Sequence, residues 1–165
     1  MTTLSTPTLT VTLPSDREVV LTREFDAPRD LVFEAFSKPE HMAHWWGQKG
    51  STLPVCEMDF RPGGAWRFVE HAADGNEYGF RGEYREIVSP ERIAWTFEFE
   101  GLPGHVCLET MVFEDVDQGQ RRRTRITGTT VFDSIEDRDG MVQSGMAQGA
   151  SEAYERLAEY LQTLA

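Results

Sequence analysis

Between Arg17 and Asp26 the chain places Val19, Leu21 and Phe25 at even spacings, the period-two pattern of a half-buried strand. Pro28 then opens a helix, where its fixed φ and missing N–H do no harm. The i,i+4 pairs Leu31/Ala35 and Val32/Phe36 give that helix one apolar stripe. Ser37-Lys38-Pro39-Glu40 fits a capping box, so a second short helix is predicted at once, ending by Gly47. Six strands follow, each closed by turn residues: Val55 to Phe60, Ala65 to His71, Glu77 to Val88, Arg92 to Glu100, Val106 to Val116 and Arg121 to Phe132. The alternation is clearest where Ile93, Trp95, Phe97 and Phe99 oppose Ala94, Thr96, Glu98 and Glu100, which predicts one aromatic, buried face and one wet face. From about Ile135 the period lengthens. Val142, Met146, Ala153, Leu157, Tyr160 and Leu164 recur at three- and four-residue steps, predicting one amphipathic helix from Ile135 to Leu164.

The order strand, two helices, six strands, helix defines an α+β fold with a seven-stranded antiparallel meander. A sheet with one apolar face needs a cover, and the last helix is the only element long enough to supply it. The 165 residues suit one domain, expected over residues 17–165. Residues 1–16, rich in Ser and Thr with Pro7 and Pro14, are expected to form a flexible arm, although Leu9, Val11 and Leu13 alternate and could extend a strand.

Charge narrows the function classes. Sixteen basic against 28 acidic residues leave a net charge of −12, the wrong sign for binding nucleic acid or an anionic membrane surface. No apolar run exceeds three residues, which excludes a membrane-spanning helix. The first charge is Asp16, so a basic export signal is not expected and a cytoplasmic location is. Cys56 and Cys107 form no CxxC pair and read as buried free thiols on strands that are not neighbours.

Catalytic patterns are sparse. His41 and His44 share a helical face, but His71 and His105 lie on separate turns, and zinc needs three or four ligands in fixed geometry; no metal and no organic cofactor are expected. No nucleophile elbow occurs, and Arg61-Pro62-Gly63-Gly64 reads as a turn rather than a phosphate loop. His105 and Cys107 share a strand face, which leaves a dyad open. By the same parity Glu109 joins Met111 and Phe113, and Glu70 follows Trp66 and Phe68. A carboxyl held in an apolar cavity would have a raised pKa and could anchor a ligand or shuttle a proton. The inner face is otherwise aromatic: Trp66, Phe68, Tyr78, Phe80, Tyr84, Trp95, Phe97 and Phe113 could fill a solid core or wall a cavity. Small residues on the last helix (Gly145, Gly149, Ala150, Ala153), with Gly128 on the final strand, favour a cavity, and Met141 and Met146 would give it adaptable walls.

Several segments together resemble one superfamily. They are Ala27-Pro28-Arg29-Asp30-Leu31-Val32-Phe33-Glu34-Ala35-Phe36, Pro39-Glu40-His41, Trp45-Trp46-Gly47, Pro62-Gly63-Gly64-Ala65-Trp66-Arg67-Phe68, Gly82-Glu83-Tyr84, Ser89-Pro90-Glu91-Arg92-Ile93 and Met146-Ala147-Gln148-Gly149. In this order and spacing they resemble the helix-grip fold of the START-like (SRPBCC, Bet-v-1-like) superfamily, in the branch named for the activator of heat-shock-protein-90 ATPase. Members often carry tryptophan just after the last-helix glycine, where this chain has Ala150. The resemblance implies a curved sheet gripping the long helix around a cavity that often holds an apolar small molecule. It implies no single chemistry, because carriers, cyclases and co-chaperone domains share the fold. The leading expectation is noncovalent binding of an apolar or aromatic molecule, walled by Trp66, Phe68, Tyr78, Phe80, Trp95, Phe97, Glu109, Met111, Phe113, Met141, Gly145, Met146 and Gly149, with Trp45 and Trp46 at the mouth. A cyclase- or dehydratase-like enzyme and a chaperone-interacting module are the alternatives, and a homodimer or chaperone partner stays open.

Overall fold

The computed structural model describes Ser5 and residues 8–164. Its strands are β1 (Thr10–Thr12), β2 (Glu18–Phe25), β3 (Thr52–Met58), β4 (Ala65–His71), β5 (Glu77–Val88), β6 (Arg92–Phe99), β7 (Val106–Asp115) and β8 (Thr124–Val131). Helices α1 (Arg29–Ser37) and α2 (Pro39–Trp45) follow β2, and α3 (Ile135–Gln143) and α4 (Met146–Leu164) follow β8. All strands join one antiparallel sheet in the order β1-β2-β8-β7-β6-β5-β4-β3. The two short helices carry the chain from β2 to the far edge, and the meander then walks back until β8 pairs with β2.

The sheet has eight strands rather than the expected seven. The extra one lies in the segment expected to be a flexible arm: Val11 pairs with Leu21, and Leu9 and Val11 are buried between exposed threonines. Residues 1–4, 6 and 7 of that arm lie outside the described residues. At the other edge β3 carries Pro54, with a register shift between Thr52 and Val55. β3 and β7, which hold Cys56 and Cys107, are not neighbours, and both cysteines are free.

The capping box does not form. Lys38 is the N-cap of α2 without a side-chain bond, Pro39 opens the helix, and the Ser37 hydroxyl donates back to Glu34 O at 3.0 Å. The expected single C-terminal helix is also two. Ser144 N–H closes α3 onto Gly140 O and Met141 O, and Gly145 takes φ +88°, a left-handed conformation that glycine alone adopts at little cost. Gly145 therefore separates the helices instead of sharing a helical face with Gly149.

α4 lies against the sheet and α2. Its Leu157 and Leu161 are 0% and 1% exposed, and the Tyr154 ring meets Phe25 edge-on at 6.2 Å. Ala153 and Leu157 of the expected stripe are buried, but towards its end the stripe shifts by one residue: Leu161 faces the core, whereas Tyr160 turns to α2. There the Tyr160 hydroxyl meets His41 Nδ1 at 2.5 Å, and its ring stacks on His44 at 4.7 Å. The two histidines thus dock a helix. α1 seals the end of the core, with Phe33 and Phe36 5.1 and 5.2 Å from Phe113.

The halves of α4 should respond oppositely to small substitutions. Leu157→Ala opens a void and should lose about 2–5 kcal/mol. Gly149→Ala adds a Cβ that meets nothing within 4 Å and should gain up to ~1 kcal/mol of helix propensity. Urea unfolding midpoints of the two variants check both signs.

Candidate functional site

Between the concave face of the sheet and the first turns of α4 lies a cavity of about 650 Å³. Gly149, Ala150 and Ala153 of α4 reach the cavity with little or no side chain, which leaves the space open between the larger Met146 and Tyr154. Trp66, Phe68, Phe80 and Phe97 form an aromatic wall, with centroids 4.9 Å apart for Trp66–Phe68 and 5.4 Å for Phe80–Phe97. Trp95 and Met111 continue it along the sheet, Tyr78 stands at its margin, and Met141, Gly145 and Met146 bound it from the α3–α4 junction.

Phe113 is the exception among the expected wall residues. It is 1% exposed and spent on α1, beyond the cavity's end. The mouth also differs from expectation. Trp45 is buried, its indole donating to Ala35 O at 3.0 Å while its ring packs on Phe36 at 4.8 Å, so it lines the interior. Trp46 is half-buried against Phe68 and Phe80. Several lining residues are open to solvent: Leu102 and His105 before β7 and Val106 at its start, with Glu136, Gly140 and Ser144 on α3 and its end. Gly128 leaves less space than its lack of side chain implies, because the Met111 methyl lies only 3.1 Å from where a Cβ would stand.

The polar point of the cavity is Glu109. Strand register sets it between Trp95 on β6 and Thr130 on β8, all on the concave face. Burial raises its pKa to about 7, against a hydrogen bond with the Trp95 side chain that favours the charged form. Tyr154 approaches from α4; burial, with the Glu109 charge added, pushes its hydroxyl far up, so it stays a neutral phenol. Sequence reasoning missed Tyr154, although it lies eight residues after Met146 and so near the same helical face. Glu70 is buried too, but it is engaged: it accepts the Gln48 N–H at 2.7 Å and faces the cationic Arg156.

The other candidate groups are occupied elsewhere. His105 Nδ1 pairs with Asp137 at 2.7 Å, while Cys107 Sγ donates to Phe97 O at 3.6 Å, so the two form no dyad. Burial pushes the Cys107 thiol up and Cys56 to about 11, far from reactive thiolates. Among the described residues no group of three or more His, Cys, Asp or Glu could hold a metal ion. The site is an aromatic pocket open at one mouth, with the Glu109 carboxyl near the Tyr154 phenol.

A curved antiparallel sheet gripping a C-terminal helix around such a pocket defines a helix-grip protein. The chain belongs to the family described as Activator of Hsp90 ATPase homolog 1-like protein, whose profile matches residues 26–162. Its fold is shared by a Rhodobacter sphaeroides protein (TM-score 0.84, 22% identity, covering 95% of this chain and 99% of that one). A Mycobacterium smegmatis protein is similar at TM-score 0.84 and 24% identity, over 96% of this chain and 100% of that one. A Silicibacter pomeroyi protein bearing the family's own name follows at 0.73 and 19%, over 90% and 99%. At these identities the likeness carries the fold alone. No functionally curated protein matches the chain. No helix among the described residues is long and apolar enough to cross a membrane.

Glu109 makes stability depend on pH in a direction that can be assigned. In the folded chain it keeps its proton to about pH 7, whereas unfolded it ionises near its ordinary 4.5. Its contribution is therefore fully present below that ordinary value and is lost as pH rises through about 7. Glu109→Gln stays neutral, so its stability relative to the native chain should rise by on the order of 2–3 kcal/mol between roughly pH 5 and pH 8. Urea midpoints of both proteins at the two pH values check this; a constant difference would mean ordinary ionisation.

Proposed function

We propose that this chain binds an apolar or aromatic small molecule noncovalently in the cavity between sheet and α4. The observation carrying the reading is a cavity of about 650 Å³, within the range of small-molecule sites, walled by rings and methionines with few polar groups. The two thiols and His41, His44 and His105 are engaged in packing or hydrogen bonds, which favours binding over covalent catalysis. The pocket-lining residues, with Trp46 on the wall and the β6–β7 turn at the mouth, are the proposed site, in one domain that functions without a cofactor.

A second reading, a cyclase- or dehydratase-like enzyme, draws support from one observation. Glu109 exchanges its proton near neutrality beside the Tyr154 phenol, a suitable arrangement for general acid–base work. A chaperone-directed role rests on the family description alone.

Native mass spectrometry of protein purified from its own source should show a retained ligand as added mass. Gly149→Leu should fill the space at the head of α4 and weaken a neutral apolar fluorescent probe such as N-phenyl-1-naphthylamine by about tenfold or more, ~1.4 kcal/mol. The variant should keep the wild-type circular dichroism spectrum. Equal probe binding by both proteins would mean that the ligand sits elsewhere.

A further inference from the structure

The charged lining of the cavity has one sign. Glu70, Glu109, Glu136 and Asp137 reach it, and no lysine or arginine does among the described residues. Two of these acids are already answered, Glu70 by the Gln48 N–H and Arg156, and Asp137 by His105. Glu109 has no such partner. Its neighbours are the Trp95 indole from β6, the Thr130 hydroxyl from β8, the Tyr154 phenol from α4 and the Cys107 thiol on its own strand, all uncharged near neutrality. The nearest influential cation, Arg23, acts on Tyr154 and is tied to Glu155 at 3.0 Å.

A lone carboxyl among aromatic rings has a definite complement. Ring faces attract cations, and more strongly once water is excluded. An ionised carboxylate in a poorly hydrated site is costly without a counter-charge and repels an anionic ligand. The net charge of −12 and the acidic residue Glu136 at the mouth would also raise the local concentration of cations. We propose that the cavity takes a lipophilic amine, held as its ammonium ion at Glu109 with its hydrocarbon or aryl body against Trp66, Phe80 and Phe97. This narrows the ligand-binding reading and rests on it.

Binding of the ammonium draws Glu109 into its ionised form, so below neutrality one proton leaves the carboxyl as the ligand enters. Calorimetric titration of the full chain with phenylbutylamine, phenylbutanol and phenylbutyrate separates the contributions, because the three share one apolar body. Near pH 8 the amine should bind about tenfold or more tighter than the alcohol, with the butyrate weakest. Its affinity should fall about tenfold between roughly pH 8 and pH 6, while that of the alcohol stays level. Glu109→Gln should erase the advantage of the amine and leave the alcohol within about twofold. The pH dependence is read on the native chain, so the test survives if that variant does not fold. An alcohol that binds as well as the amine, or an amine preference that persists in Glu109→Gln, overturns the amine and leaves the apolar-ligand reading standing. Failure of all three probes to bind overturns both.

Discussion

The structure depends on how α4 is seated. Its second half is anchored: Leu157 and Leu161 are withdrawn from water, and Tyr154 packs on Phe25 and Trp45. Arg156, on the same helix, reaches back and donates to the carbonyls of His44 at 3.2 Å and Gln48 at 3.0 Å, and to the Ser51 hydroxyl at 3.2 Å. One guanidinium thus satisfies the end of α2 and the loop after it, holding that loop while Glu70 takes the Gln48 N–H from the other side. With one half fixed so firmly, the other half can stand off the sheet over small residues without the domain losing its core. The cavity is what remains.

The sheet adds chemistry to that space through register. Burying a carboxyl without a counter-charge costs stability, and a sequence selected only for a solid core would place a leucine at position 109. Antiparallel pairing puts Glu109 directly between Trp95 and Thr130, so its protonation is governed by burial, tempered by one indole bond. Groups that bear such a cost are concentrated at functional sites.

How much of this was legible follows from the signals themselves. Strict alternation in Ile93, Trp95, Phe97 and Phe99 specified the concave face, and parity from Met111 carried Glu109 onto it. The helix break did not show, because a glycine within a periodic run is compatible with a continuous helix, and only the left-handed φ at Gly145 tells otherwise. The first strand showed only as an open alternative, in the alternation of Leu9, Val11 and Leu13, because three residues with threonines on either side of Val11 give too short a pattern to decide. Phe113 and Trp45 had the right faces but the wrong depth, since parity says nothing of where along a strand or helix a cavity ends. Tyr154 came into view only once the register of α4 against the sheet was known.

The two sheet edges have a consequence of their own. An open edge offers a row of unpaired N–H and C=O groups on which a foreign strand can grow. Here one edge is a strand of three residues, and the other is interrupted by Pro54, which has no N–H to offer, at a shift in the ladder. Neither presents the long flat template that fibril growth requires. An eight-stranded sheet of high β-propensity is in this way kept from templating its own aggregation.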